Sequence, residues 1–522
     1  MSSDQQIVSA LARAGLFADR GDAAPAAELA APNPPQFHLT GITDDSRAVV
    51  PGSVFVAVRG TAGDGHQYIA KARELGAVLV IAEDFSAEQS GPAVIVKDSR
   101  RAAAIAAAAF YGWPARQLRM IAVTGTNGKT TTVDMLRHVL DAPRADAAAA
   151  SVSAGRAASI GTLGVLIGSE GVPVEGGAGL TTPGPIELQR ILRTLVDAGV
   201  TTVAMEVSSH SLAQHRVDGV DFVAAVFTNL TRDHLDYHGT MEAYRDAKLS
   251  LADHVMDGGT LVVDAAEPAW RHLRKLGKSV LSFGTSAGAQ VRAEGVAFHT
   301  RGSRFDLTDG EATASVALPL IGDFNVTNAL GAAATALALG MSVPDVAARL
   351  TTMPQVPGRL EIVGDHPAVL RDYAHTPDAL ERALTALRPF VPGRLIAVFG
   401  AGGDRDAGKR PLMGAAAARH ADVVIITSDN PRTEDPERII DQIVPGVGAK
   451  PYERIEDRRT AIVHAIEMAD AERDLVLLAG KGHEDYQVRG TVKLPFDEPV
   501  IVGEILAARA AQAAAAGQGK AS

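Results

Sequence analysis

Short apolar runs recur along the chain, and each is followed by a polar, glycine-bearing turn and then a helical pattern. Residues 54–58, 77–82 and 93–96 form the first set, which predicts a small α/β domain over residues 1–117. From residue 118 a second set follows, at 120–124, 201–207, 222–228 and 261–263, and predicts a larger parallel sheet in a domain reaching residue 357. A third set (395–399, 422–427, 475–478) lies in a domain over 358–522. Its runs lead into GAGGDRDAGKR, SDNPRTEDP and AGKGHEDYQ. Three ligand-type loops at the carboxyl ends of strands predict a doubly wound sheet with its own site. The expected fold is therefore α/β in three domains. Residues 141–159 and the tail after Ala507 are low in complexity, and are read as a flexible insertion and a fraying end.

Composition narrows the function classes. The 522 residues include no cysteine, which excludes disulfides, thiolate nucleophiles and Cys-ligated metals and fits a reducing cytoplasm. Fifty Lys and Arg against 61 Asp and Glu leave a net charge of −11, which argues against a nucleic-acid or anionic-membrane surface. The start of the chain lacks the basic and apolar regions of a signal peptide, and the Ala-rich run at 102–110 is too short to span a bilayer. A soluble protein without membrane insertion is expected.

Chemistry concentrates in four stretches. MIAVTGTNGKTTT (120–132) runs from a strand through a Gly-rich turn into a helix. Backbone N–H groups of Gly125, Thr126, Asn127 and Gly128 and the helix start can cradle phosphates; Lys129 can reach the terminal ones and Thr130 can meet Mg²⁺. A triphosphate site follows from that context, although a P-loop alone does not say what the nucleotide is for. In TNLTRDHLDYHGTMEAYRDAKLSL (228–251), a helix expected after Thr240 aligns Met241, Tyr244, Lys248 and Leu251 on one face. A lysine on an apolar stripe either snorkels or ion-pairs, or is desolvated enough to capture CO₂ as a carbamate and become an anionic metal ligand beside His234. In AMEVSSHSLAQHR (204–216), Glu206 ends a strand as a candidate Mg²⁺ ligand or a helix N-terminal charge, and Ser208 and Ser209 are candidate caps. Within SDNPRTEDP, Arg432 either pairs with Asp429 or Glu434 in a surface turn or is held to meet an anionic ligand.

Taken together, TDDSR, VTGTNGKTTT, TTPG, MEVSSHSLAQHRV, FTNLTRDHLDYHG, AYRDAK, GDFNVTNAL, VPGRLE, DYAHTPDAL, GGDRDAGKR, SDNPR and GKGHEDYQ make the chain resemble the Mur ligases from about residue 41 to 503. Within that family it is similar to the branch that adds meso-diaminopimelate to UDP-MurNAc-L-Ala-D-Glu. The resemblance implies ATP held by Gly125–Thr131 (Lys129, Thr130 and Thr131 included), Asn325, Asn328, Arg359, Asp372 and His375. It implies two Mg²⁺ ions met by Thr130, Glu206, His234 and an N6-carboxylysine at Lys248. The UDP-MurNAc-dipeptide would meet Ser46, Thr181, Thr182, Ser208, Gln214 and Arg216. Diaminopimelate would meet Arg405, Asp429, Asn430, Arg432, Gly480 and Glu484. The implied reaction passes through an acyl phosphate, with Lys129, His234 and Lys248 as its catalytic set, in a monomeric cytoplasmic enzyme. Asp44 in TDDSR and the 141–159 stretch depart from the family pattern.

Three other readings compete. A folylpolyglutamate-synthetase-like ligase would share the P-loop and the carbamylated lysine, but not SDNPR with GKGHEDYQ. A lysine-adding Mur ligase would not be expected to carry arginine in SDNPR. A nucleotide-driven binding switch would need no synthetic chemistry at all.

Overall fold

The computed structural model describes residues 3–18, 37–60, 63–84, 91–141, 155–177 and 179–518. It divides into two compact units, Met1–Val291 with Gly331–Ser342 and Arg292–Leu330 with Val343–Ser522.

In the first unit a four-stranded parallel sheet, in the order Gly41–Thr43, Ser53–Val56, Leu79–Ala82 and Ala93–Ile95, carries the first set of apolar runs. Helix Ser99–Phe110 packs its alanines into this core, with Asp98 capping the first turn. The larger sheet orders its parallel strands as Ser279–Gly284, Val255–Asp264, Phe222–Phe227, Arg119–Thr124, Val200–Glu206 and Arg156–Gly161. Strands such as Arg119–Thr124 are buried almost throughout, as expected where both faces of a parallel sheet are covered. Arg101 and Asp218 pair at 2.9 Å between the two sheets' elements.

Two low-complexity readings are corrected. The stretch 142–154 lies outside the described residues, but Arg156–Gly161 is a strand of the larger sheet and no part of an insertion. Buried Asp141 accepts hydrogen bonds from the backbone N–H groups of Ala157 (2.9 Å) and Ser169 (2.8 Å), so the residues flanking 142–154 are tied down. The tail also departs from expectation, since Glu498–Gln518 is one helix. Alanine's high helix propensity carries it through the run that composition alone suggested would fray.

Val291–His299, Gly302–Thr308 and Thr313–Leu318, which belong to the second unit from Arg292 on, form an antiparallel meander that the sequence analysis did not identify. Its signal is the alternation that buries Phe305, Leu307, Val316 and Leu318. The second sheet runs Glu361–Gly364, Ala368–Asp372, Leu475–Ala479, Leu395–Phe399, Val423–Ile426 and Glu453–Arg454, all parallel beyond the first antiparallel pair. Strands 475–479, 395–399 and 423–426 are neighbours, which gathers the three polar loops at one carboxyl edge.

Candidate active site

In the first unit the turn after strand Arg119–Thr124 leads directly into helix Lys129–Leu140. Gly125 has φ +146°, and a Cβ there would fall on the Thr228 hydroxyl, so only glycine allows the loop to pass so close to the neighbouring strand end. Backbone N–H groups of Thr126 and Asn127 donate to Asn229 O (2.8 Å) and Asn229 Oδ1 (3.0 Å), which fixes the cradle against that strand. The Lys129 ammonium donates to Gly125 O at 2.9 Å and Thr126 O at 2.8 Å. Thr130 and Thr131 are buried at the start of the helix.

Helix Met241–Leu249 is capped by Thr240, as expected, and turns Tyr244 and Lys248 inward. Lys248 is fully buried, and its Nζ donates to Gly125 O at 2.8 Å, the same carbonyl that Lys129 uses. Burial, reinforced by the Lys129 charge, holds its pKa well below the ordinary lysine value. It makes no ion pair among the described residues and its ammonium does not reach solvent. His234 adopts φ +54°, with its ring edge-on to His210 at 4.7 Å between centroids, and burial lowers its pKa. His210, packed against His234, Tyr237 and His238, is desolvated down to a pKa of about 4.

Glu206 lies across from Val123 in the sheet register, fully buried at the edge of the P-loop. Its carboxylate accepts from Thr162 N at 2.7 Å and the Thr162 hydroxyl at 3.3 Å. Ser208, one of the two candidate caps, caps the next helix and accepts from Ser211 N at 3.1 Å. Thr182 donates to Glu206 O (2.9 Å), Arg216 donates to Thr182 O (3.0 Å) and to Gln214 Oε1 (2.7 Å), and Thr162 reaches the Thr181 hydroxyl at 3.4 Å. Glu206, Thr181, Thr182, Ser208, Gln214 and Arg216 thus form one connected group. Ser46 sits in a 3-10 turn of the small sheet's domain and makes no hydrogen bond to that group among the described residues. Thr162, His210 and Tyr237, whose hydroxyl meets Gln214 Nε2 at 3.2 Å, belong to the group but were missed. Among the described residues no three His, Asp or Glu side chains stand close enough to hold a metal by themselves.

In the second unit, the Asn325 amide donates to Ile321 O at 2.8 Å and Asn328 donates to Asn325 Oδ1 at 3.2 Å. Asp372 accepts from Leu360 N at 2.8 Å, and its burial pushes its carboxyl up to a pKa of about 6 despite the Arg359 charge. Arg359 lies 4.7 Å over the Tyr373 ring, and His375 Nδ1 is 2.8 Å from Tyr373 O, so Arg359, Asp372 and His375 surround one tyrosine.

The three loops of the second sheet build a further group. Arg432 has φ +52°, and the backbone around it is pinned to hairpin Tyr486–Arg489/Val492–Pro495 through Arg432 N to Val488 O (3.1 Å) and Gly490 N to Arg432 O (2.7 Å). Its guanidinium donates to Gly403 O at 2.7 Å and meets no carboxylate among the described residues. The expected surface pairing fails for a specific reason. Glu434 is gripped by buried Arg410 through two bonds of 2.8 and 2.9 Å, which pull its pKa down to about 2. Asp429 is held by other partners: its carbonyl accepts from Gln487 at 2.6 Å and its carboxylate faces Lys481 at 3.8 Å. Asn430 donates to Glu484 at 2.8 Å. A Cβ on Gly480 would come within 2.6 Å of Asp429 Oδ2, so that glycine leaves the carboxylate face open. Arg405 is exposed on the loop beside Arg432. Arg410, Gln487 and Lys481 support the group and were not identified from sequence.

Three family models match the chain: "Mur ligase family, catalytic domain" over 38–111, "Mur ligase middle domain" over 123–336 and "Mur ligase, glutamate ligase domain" over 358–482. The UDP-N-acetylmuramoyl-L-alanyl-D-glutamate–2,6-diaminopimelate ligase of Geobacillus thermodenitrificans is 43% identical over 89% of this chain and 94% of its own length. The chain belongs to the Mur ligase family. The equivalent ligase of Gloeobacter violaceus is also 43% identical, over 91% of this chain and 96% of its own. A solved structure of a ligase of that name superposes with a TM-score of 0.63 at 33% identity, covering 90% of this chain and 95% of that one. Mycobacterium tuberculosis folylpolyglutamate synthase, at 20% identity and a TM-score of 0.59 over 73% of this chain and 92% of its own, shares the fold. As a Mur ligase the protein is an ATP-dependent ligase, which removes the binding-switch reading.

Proposed function

We propose that this Mur ligase joins meso-2,6-diaminopimelate to UDP-N-acetylmuramoyl-L-Ala-D-Glu, at the cost of one ATP, in peptidoglycan precursor synthesis. The carrying observation is the Arg432 guanidinium, which sits on a pinned backbone while the adjacent acid is committed to Arg410. A carboxylate arriving there gains a planar, charge-assisted partner, and diaminopimelate has a distal carboxylate that lysine lacks. The names of the relatives point the same way.

On this reading Gly125–Thr131 hold the triphosphate and Lys129 leaves the loop carbonyls for its terminal phosphate. Asn325, Asn328, Arg359, Asp372 and His375 complete the ATP contacts. Thr181, Thr182, Ser208, Gln214 and Arg216, with Ser46, hold the UDP-peptide. Its D-Glu carboxylate attacks the transferring phosphoryl group to give an acyl phosphate and ADP. The unprotonated amine of diaminopimelate then attacks the acyl carbon, and phosphate leaves as the amide forms. Arg405, Asp429, Asn430, Arg432, Gly480 and Glu484 orient that amine.

Buried Glu206 and the buried Thr130 hydroxyl, with the partly exposed His234 ring, fit Mg²⁺, a hard cation that takes oxygen ligands and tolerates imidazole. Lys248 supports the same site. Two amines share the Gly125 carbonyl, and an amine of lowered pKa is the form that takes up CO₂. Carbamylation would replace the buried cation with an anionic oxygen donor. Two bound Mg²⁺ ions would offset charge building on the phosphoryl group. ATP and a UDP-linked substrate are cytoplasmic metabolites, so the reaction belongs there, and one chain carries every residue invoked, so a monomer suffices.

Phosphate release tests the reading. It is expected only when ATP, the UDP-dipeptide and diaminopimelate are all present. Release at the full rate without the amino acid would contradict ligase coupling.

A further inference from the structure

Lys481 lies wholly inside the second unit, directly after Gly480. Its ammonium donates to Asn430 Oδ1 at 3.2 Å and stands 3.4 Å from Glu484 Oε2 and 3.8 Å from Asp429 Oδ1. Asp429 Oδ1 is buried and makes no hydrogen bond. The Asn430 amide is fixed from both ends: Oδ1 also accepts from Val488 N at 2.9 Å, and Nδ2 donates to Glu484. One buried cation therefore touches three side chains of the group assigned above to the amino acid. With Lys481 present, the charges of Asp429, Glu484 and Lys481 sum to −1; without it they sum to −2.

We propose that Lys481 is a specificity-determining residue that sets the charge of the amino-acid pocket so that a zwitterionic side chain is preferred over a cationic one. The inference rests on the proposed function. The end of diaminopimelate that does not react carries an ammonium and a carboxylate and is neutral overall, whereas the side chain of lysine carries an ammonium alone. Two carboxylates with no cation behind them attract the cationic side chain more strongly; Lys481 cancels one of those charges from behind, which weakens that attraction and leaves the zwitterion's contacts intact. Lys481 thus discriminates by removing an attraction, where Arg432 discriminates by offering a partner and a repulsion.

The test compares kcat/KM for diaminopimelate and for L-lysine in wild type, Lys481→Met, Lys481→Gln and Lys481→Arg. Both neutral variants are expected to shift the ratio towards lysine by about tenfold, the effect of one unit charge across several ångströms of partly screened protein. Lys481→Arg keeps the charge and should hold the ratio near that of wild type, and KM for ATP should stay put throughout. A ratio unchanged in folded Lys481→Met or Lys481→Gln, with wild type still using diaminopimelate, overturns this inference alone. Failure of both neutral variants to fold would assign Lys481 to the core and overturn it as well. Absence of diaminopimelate product in wild type would overturn the proposed function and this inference together.

Discussion

Replacing Arg432 separates a ligand clamp from a loop staple, because the side chain makes one internal bond and the backbone two to the hairpin. Arg432→Ala removes the Nη1 bond to Gly403 O, whose loss costs about 0.5–1.5 kcal/mol of stability. It leaves the hairpin bonds of the Arg432 N–H and C=O in place. Arg432→Gly removes the same side chain and also relieves the φ of +52°, a conformation that costs a non-glycine residue about 1 kcal/mol. Glycine should therefore be the more stable of the two variants by melting temperature. If the guanidinium clamps a carboxylate, both variants lose that contact equally. For a half-buried, charge-assisted pair the lower part of the usual 2–5 kcal/mol range applies, or roughly 30- to 150-fold in kcat/KM for diaminopimelate. KM for ATP and for the UDP-peptide should stay close to wild type, and Arg432→Lys should recover little, because an ammonium lacks the planar fork. Steady-state kinetics with each amino acid, beside thermal melts, reads both quantities. Diaminopimelate kinetics that follow stability, with Arg432→Gly restored towards wild type, would refute the clamp.

Lys248→Ala should lose nearly all ligase activity, with partial return on adding a short carboxylate; full activity, or no CO₂-dependent mass increment on the intact wild-type protein, would remove the carbamate. Lys129→Ala should abolish amide formation in a protein that still melts cooperatively; a normal rate would contradict the assignment. Asp372 has a folded pKa of about 6 against 3.8 ordinarily, so the folded state binds its proton more tightly. Its favourable contribution is complete below about pH 4 and is lost as pH rises through 6. Asp372→Asn should therefore gain about 1–3 kcal/mol on wild type between pH 4 and pH 8, read by denaturant melts; a pH-independent difference would show that the carboxyl is not desolvated.

The strand-and-loop skeleton was legible because fully buried parallel strands write themselves as continuous apolar runs, as in 120–124 and 422–427. The meander at 291–318 was not, since its strands are half exposed and mix small and charged residues. Strand Arg156–Gly161 was hidden by the Ala- and Ser-rich stretch before it, and its partner Val200–Glu206 lies more than forty positions along the chain. Site residues in glycine-rich turns or at unexpected cations were readable singly, as Lys129 and Lys248 show. Their supports were not. Arg410 and Gln487 act through residues 24 and 58 positions away, and Lys481 reaches Asn430 51 positions away besides its neighbour Glu484, so no local pattern marks them as supports. The local alternative for Arg432, pairing with Glu434, looked sound in sequence because Arg410, which takes that acid, lies 24 positions away in helix Lys409–His420.

The identity of the amino acid is open to direct measurement. Purified protein with ATP, Mg²⁺ and UDP-MurNAc-L-Ala-D-Glu should be offered meso-diaminopimelate, L-lysine and D-glutamate in parallel, with products read by mass spectrometry. The diaminopimelate adduct is expected as the dominant product, formed with one ADP per amide, with little adduct from the other two. Equal or greater use of lysine or glutamate would contradict the proposed function.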